Sequence, residues 1–515
     1  MIKLYTQSTH LKVVYDEATV EECEKSEKIL TTRFCAKDTS LSNTTLVKRK
    51  IATDVVSFYN VDYQILPIGF LKYLEYYYEK KNIEYTIKEM RKFPPVDKIF
   101  MRQLLNGEIE LNGEIPREYQ TEAVYEAVKN RGGGIELPTA SGKTLIMALL
   151  CKAYAKSRIL IIENTIDLIQ QTYEKFSKYG FTEDEMGVIQ GANDDDSKRI
   201  TLLSLQSYEK AFNLFPYIRV VIADEAHESA RTITSEKIIY SCQNAPIKIG
   251  VSATMRTIDN PYEGMRLIGN IGPIIYKKEI KEQIDADYIS KVKVEIHSYP
   301  CDQIPIVGSW ADIYEKVKVS NKNSEEDLIG RGYEIIQEGD SRVGRKMSSR
   351  GDEYNHFIAN SFRNQKIISI VNEYAKKGKR ILVLFNRIEH GEILQSMYKD
   401  GILIHGEDDL KSRKEAEIQL RENPGTVVFA SGIWKKGIDI EEIDVFINAT
   451  AGHSTVNVIQ KLGRVIRKSR TTEKDIAIAI DFDDSRLSPI GRNQTRKRVH
   501  IYEDVLQLPV EFVAA

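Results

Sequence analysis

Ten short apolar runs, recurring in two blocks, constrain this chain more than any other feature. RILIIEN (from Arg158), RITLLSL (from Arg199), RVVIADE (from Arg219) and IKIGVSAT (from Ile247) alternate with helical stretches in the first block. KVEIHSY (from Lys293), RILVLFN (from Arg380), GILIHG (from Gly401), TVVFASG (from Thr426), VFINAT (from Val445) and IAIAIDF (from Ile476) do so in the second. Apolar on both alternating positions, such runs suit strands covered on both faces, which is the environment of a parallel sheet flanked by helices. Right-handed crossovers then bring the segments that follow each strand to one edge, where ligands bind. The sequence therefore predicts two tandem α/β lobes, over residues 113–288 and 289–485.

Composition agrees. At ~150 residues per domain, 515 residues make about three domains. With 42% hydrophobic and 29% charged residues the chain reads as a soluble multidomain protein. No apolar run approaches the ~18–20 residues that span a bilayer, and the first residues lack the plan of a signal peptide, so a cytoplasmic protein is expected, in the host cell if its origin is a phage. Cys23, Cys35, Cys151, Cys242 and Cys301 lie far apart, which argues against zinc and disulfide frameworks. A net charge of −2 decides nothing about nucleic acid, because a groove needs local basic residues.

Ahead of the lobes, residues 1–112 predict a small α+β accessory domain. IKLYTQSTHLKVVYD suggests an edge strand, EATVEECEKSEKI a helix, TTRFCAK and TTLVKRKIATDVVSFYN two strands, Leu66-Pro67-Ile68-Gly69 a turn, and FLKYLEYYYEKKN an amphipathic helix. The basic run Lys48–Lys50 reads as a solvated strand end and Phe93-Pro94-Pro95 as a linker. Between about 301 and 355 the pattern breaks down into a polar, basic stretch expected to be a mobile insertion. Residues 486–515 read as a basic tail.

GGGIELPTASGKT, Gly132 to Thr144, has the character of a phosphate-binding loop. Backbone amides of Pro138-Thr139-Ala140-Ser141-Gly142 and a helix start would attract phosphate (proline lending only its fixed turn), Lys143 would reach the outer phosphates, and Thr144 would offer a hydroxyl to Mg²⁺. The strict pattern wants glycine where Leu137 stands. Asp224 and Glu225 follow an apolar run; a carboxylate at a buried strand end can hold Mg²⁺ through water, and its neighbour can polarise an attacking water. Ser252-Ala253-Thr254 ends the next run. Far downstream, Arg464 and Arg467 are three apart and would share a helical face, as cations meeting a transferred phosphoryl group would; solvated surface arginines are the alternative.

Taken in order, these stretches resemble the superfamily 2 helicases and translocases. Arg117-Glu118-Tyr119-Gln120 is similar to that family's adenine motif, PTASGKT to its motif I (which also lacks the early glycine) and LIIENT with Gln171 to motif Ia. Leu205-Gln206-Ser207 sits where a DNA-contacting motif belongs; Asp224-Glu225-Ala226-His227 is similar to motif II and Ser252-Ala253-Thr254 to motif III. LVLFNR resembles motif IV, Ile404-His405-Gly406 its follower, SGIWKKGIDI motif V and QKLGRVIR motif VI. The resemblance implies two RecA-like lobes and hydrolysis of ATP with Mg²⁺. Arg117 and Gln120 would read adenine, Lys143 hold phosphates, Thr144 and Asp224 position the metal, Glu225 polarise water, and Arg464 and Arg467 stabilise the transition state. Ser252 and Thr254 would couple the nucleotide to lobe movement; Gly437, Asp439 and Gln460 would complete its binding. Thr165, Gln206, Ser207, Asn386, Arg387, His405 and Ser431 would meet nucleic acid, chiefly phosphates.

One departure is Glu163, where the family commonly places a neutral residue; a carboxylate suits no phosphate track. Within the family, Asp54–Glu84 and TRKRVHIYE are similar to the phage UvsW-type branched-DNA helicases, which implies forked or four-way DNA and R-loops as substrates; the sequence does not fix the oligomeric state, and a monomer is the favoured expectation. An RNA helicase, a restriction-type duplex translocase and an ATP-switched nucleic-acid-binding regulator are the other readings. The intact Glu225, Arg464 and Arg467 count against the regulator.

Overall fold

In the computed structural model, residues 1–514 are described apart from 43, 45–46, 48, 230–231, 256–259, 301–313, 321–323, 326–327, 329–333, 339–340, 348–356, 433–441, 451–457, 460–461, 464–475 and 488. The chain forms two compact units, Met1–Gln283 and Ile284–Ala515.

The first unit holds an eight-stranded sheet. Its order is Asn193–Asp194, Met186–Gln190, Ile200–Ser204, Ile159–Glu163, Val220–Asp224, Ile247–Ser252, Gly133–Glu136 and Ile274–Lys277. Every pairing is parallel except that of the outermost short strand. The four runs singled out above are the four central strands, and all four are buried along their whole length for the reason inferred: both faces are covered. Met186–Gln190 and Ile274–Lys277 are strands whose mixed composition hides them from a search for continuous apolar runs.

Residues 2–89 form a four-stranded sheet ordered Ile65–Pro67, His10–Val14, Ile2–Thr6, Tyr85–Glu89. The first run is therefore a hairpin at the centre of the sheet, not an edge strand: Gln7–Thr9 turn the chain, and Ile2, Leu4, Leu11 and Val13 fill the core beneath. Thr31–Arg33 end a helix, Val20–Arg33, in place of opening a strand, and the hydroxyls of Thr31 and Thr32 bond back to the carbonyls of Glu27 and Lys28. Among the described residues of that region, Cys35–Lys37 and Val55–Ser57 pair as strands. Leu66 and Pro67 end a strand, and a 3₁₀ turn follows at Ile68–Phe70.

This module packs within the first unit. Buried Lys248 gives its Nζ to the Ser8 carbonyl, Asn260 Nδ2 donates to Asp38 Oδ1 at 2.9 Å, and Phe58 stacks on Tyr262 at 5.4 Å. A β-carbon on Gly69 would collide with the Ile268 carbonyl, so only glycine permits this approach.

The second unit holds a seven-stranded sheet whose pairings are all parallel, ordered Ile402–Ile404, Val427–Ser431, Ile381–Phe385, Val445–Asn448, Ile476–Phe482, Lys291–His297 and Val510–Val513. Two expectations change here. Within the stretch read as a mobile insertion, Tyr314–Lys318 and Glu334–Glu338 both pair antiparallel with Ser341–Met347. The basic tail is built into the unit: Pro489–His500 is a helix and Val510–Val513 adds to the sheet edge. Its Arg498 is buried, donating from Nε to Asp481 and from Nη2 to Asp484, both at 2.9 Å. Arg363 Nε, Tyr299 and Tyr502 complete the coverage of those carboxylates. Charge that looks like a solvent-facing run is thus partly internal, spent on two buried aspartates. No helix among the described residues is long and apolar enough to cross a membrane.

Candidate active site

The loop Leu137–Gly142 leaves the strand Gly133–Glu136 and enters the helix Lys143–Ala153. Leu145 to Cys151 are all buried, so the helix is held on every side and its start is fixed. Ala140 and Gly142 take left-handed φ values of 73° and 68°, the turn that exposes successive amides. A β-carbon on Gly142 would lie 2.4 Å from Gln120 Nε2.

Gln120 and Tyr119 bind the loop. Gln120 Nε2 and the Tyr119 hydroxyl both donate to the Ser141 carbonyl, at 2.9 and 2.8 Å, while Gln120 Oε1 accepts from the Arg117 amide at 2.9 Å. Both ends of the Gln120 amide, expected to face adenine, therefore have protein partners, and Gln120 also braces the loop. Tyr119 is a contributor that the sequence reading quoted but gave no role. Ser141 Oγ lies 2.7 Å from the Pro138 carbonyl and 2.8 Å from Gln283 Oε1.

Asp224 ends a central strand and Glu225 follows in the left-handed region, φ 42°, a conformation that costs a non-glycine residue about 1–3 kcal/mol and recurs at functional sites. Glu225 Oε1 stands 3.9 Å from Lys143 Nζ, and its Oε2 3.4 Å from His227 Nδ1. His227 is buried, with Nδ1 2.7 Å from Ser252 Oγ, which also accepts from the Thr254 amide at 3.2 Å. Motifs I, II and III thus form one connected set, to which the sequence contributed every residue but assigned His227 no part.

Glu163 is the residue the sequence could not place. It ends the strand beside that of Asp224, is fully buried, and accepts from Thr172 Oγ1 at 2.8 Å. Burial, then the neighbouring Asp224, holds its carboxyl well above the ordinary range, which favours its neutral form. Burial, then Glu225, likewise pushes Asp224 up to about 7, against the opposing pull of Lys143.

Among the described residues no group of three or more His, Cys, Asp and Glu could hold a metal. Magnesium that arrives on nucleotide phosphates needs no such cage, only one or two protein groups. Thr144 at the first turn of the helix and Asp224 fit that requirement, and the buried Thr139 Oγ1 and Glu225 Oε2, which accept no hydrogen bond, suit a polar ligand.

The expected nucleic-acid contacts all lie at or just past the C-terminal ends of parallel strands. Thr165 caps the helix Ile166–Lys178, accepting from Leu168 N, and Ser207 Oγ accepts from Gly191 N at 3.1 Å, so both hydroxyls have backbone partners; Gln206 is exposed. Asn386 and Arg387 are exposed just past Phe385; His405 is half-buried beside Asp408; Ser431 is buried. Gly437, Asp439, Gln460, Arg464 and Arg467 lie outside the described residues.

Residues 114–257 match the family described as type III restriction enzyme, res subunit, and 363–469 match the helicase conserved C-terminal domain. The chain is 26% identical over 422 residues to the DNA 3'-5' translocase XPB2 of Sulfurisphaera tokodaii, covering 79% of this chain and 88% of that one. It is 25% identical over 403 residues to the ATP-dependent DNA helicase uvsW of Enterobacteria phage T4, covering 75% and 72%. Its fold resembles a solved fragment of an HsdR subunit of a type I restriction enzyme from Vibrio vulnificus, with a TM-score of 0.54 and 16% identity over 81% of this chain and 72% of that one. The two parallel-sheet lobes, the ordered motifs and these matches show that the chain belongs to the superfamily 2 helicases, ATP-dependent motors that act on nucleic acid.

Proposed function

We propose that the chain is a DNA helicase or translocase that uses ATP to remodel branched DNA such as forks, four-way junctions and R-loops. The observation that carries the nucleotide half is the convergence of Lys143, Glu225, His227 and Ser252 beneath a left-handed phosphate loop. The DNA half rests on the two relatives, both named as acting on DNA, and on the likeness of Asp54–Glu84 and Thr495–Glu503 to the phage branched-DNA helicases.

In this reading Lys143 neutralises the outer phosphates, and Thr144 with Asp224 holds Mg²⁺, which when bound supplies charge neutralisation on the phosphates. Glu225 orients and deprotonates the attacking water, helped by the low-dielectric wall that keeps Asp224 and Glu163 dry. Arg117 and Gln120 face the base, Gly437, Asp439 and Gln460 complete nucleotide binding, and Arg464 and Arg467 meet the developing charge. Ser252 and Thr254 pass the state of the γ-phosphate onward through His227. Residues 1–112 act as a DNA-binding accessory module, and the working protein is a cytoplasmic monomer.

The test compares ATPase stimulation and strand separation on single-stranded, duplex, forked and four-way DNA and on RNA at one salt concentration. Forked or four-way DNA should stimulate most and be unwound. Preference for plain RNA would remove the DNA reading; stimulation by linear duplex without strand separation would make the protein a translocase only. Lys143→Ala should abolish hydrolysis on every substrate.

A further inference from the structure

Gln283 lies 142 residues beyond Ser141 and outside every motif, yet it touches the phosphate loop. The topology explains how. Ile274–Lys277 is the edge strand that pairs in parallel with Gly133–Glu136, so the segment after it emerges at the same sheet end as the loop. The Lys278 amide bonds to the Glu136 carbonyl at 3.1 Å, and the turn of helix Ile280–Asp285 then sets the Gln283 side chain against Ser141.

The contact is buried and unbalanced. Gln283 is 1% exposed and Ser141 fully buried. Ser141 has one hydroxyl proton and two acceptors in range, the Pro138 carbonyl and Gln283 Oε1, while Gln283 Nε2 is buried with no partner. Turning the amide over resolves the first conflict: Nε2 would donate to Ser141 Oγ, which would donate to Pro138 O. In either orientation the amide bridges to the loop and keeps one polar atom spare. A buried amide left half-satisfied costs about 1–3 kcal/mol, whereas leucine or methionine there would cost nothing of the kind.

We propose that Gln283 is a positioning residue of the nucleotide site, bracing Ser141 so that the loop amides hold their phosphate-facing geometry. It braces from the last residue of the first unit, since the chain enters the second unit at Ile284. Nucleotide that orders the loop therefore orders residue 283, and with it the segment through which the chain passes from one unit to the other. The inference rests on the reading of the loop as a nucleotide site and adds a residue and a direction of coupling to it.

The experiment measures the Kd of a fluorescent ADP analogue with Mg²⁺ for the full chain, Gln283→Leu, Ser141→Ala and the double variant, with hydrogen exchange of residues 278–290 with and without ADP. Each single variant should weaken binding roughly 3- to 10-fold, the worth of one buried hydrogen bond, and the double variant no more than the weaker-binding single. Nucleotide should slow exchange at 278–290 in the parent and leave it unchanged in both single variants. Multiplying effects, parent-like affinity of Gln283→Leu, or nucleotide protection that survives both substitutions would overturn the proposal. Lys143→Ala serves as the separate control: if it binds the analogue as the parent does, the nucleotide reading itself fails and this inference falls with it.

Discussion

His227 Nδ1 stands 2.7 Å from Ser252 Oγ, and the same ring nitrogen stands 3.4 Å from Glu225 Oε2. One buried imidazole therefore joins the residue read as the water-activating base to the segment read as the coupling motif. His227→Ala would leave Ser252 short of a partner, at a cost of about 1–3 kcal/mol. ATP hydrolysis should persist while the strand separation per ATP consumed falls. Parallel ATPase and unwinding assays check this; a proportional loss of both would make the histidine a plain part of the hydrolytic site.

Glu225→Gln keeps the shape of the side chain and removes its basicity. Hydrolysis should fall by about 10²- to 10⁴-fold, the usual worth of a general base, while ADP affinity changes little. Single-turnover hydrolysis and equilibrium binding on the same preparation separate the two effects.

Lys248 makes stability depend on pH. Its amine is fully buried, and burial lowers its pKa from 10.5 to about 7. Between about pH 7 and 10 the unfolded chain then binds the extra proton, so stability rises with pH, by at most ~1.4 kcal/mol per unit. Below about 7 both states are protonated and the contribution is flat. Denaturant midpoints of the parent should climb from pH 7 to 9, and Lys248→Met should flatten that climb.

Arg498 of the C-terminal helix pairs with both Asp481 and Asp484. Arg498→Met would leave buried Asp481 without this cation and Asp484 with Arg363 alone, and should destabilise the second unit by about 3–5 kcal/mol. Thermal unfolding followed by a probe in each unit should show the second transition moving and the first staying in place.

Much of this was legible in the sequence where physics is local or repetitive. Continuous apolar runs betray doubly covered strands, and GKT, Asp224-Glu225 and Ser252-Ala253-Thr254 come at the C-terminal ends of three adjacent parallel strands. What stayed hidden depends on partners distant in the chain. Ile2–Thr6 looks like an edge strand until Tyr85–Glu89 covers its other side. Arg498 looks solvated until Asp481 and Asp484 are placed beside it, and Glu163 looks misplaced until burial is seen to raise its pKa. Gln283 carries no local pattern at all, since its meaning is a single contact 142 residues away.

The contacts Ser8–Lys248 and Asp38–Asn260 join residues 240 and 222 apart. Pairings that remote carry a loop-closure cost that only an organised intervening chain offsets. The accessory module is thus a keystone of the first unit and not a detachable cassette: cutting it away would bare a buried amine and loosen the asparagine that starts the helix Pro261–Ile271. A truncated motor would register as a folding defect before it could reveal anything about DNA, and point substitutions on the module's outer surface are the cleaner way to ask what it binds.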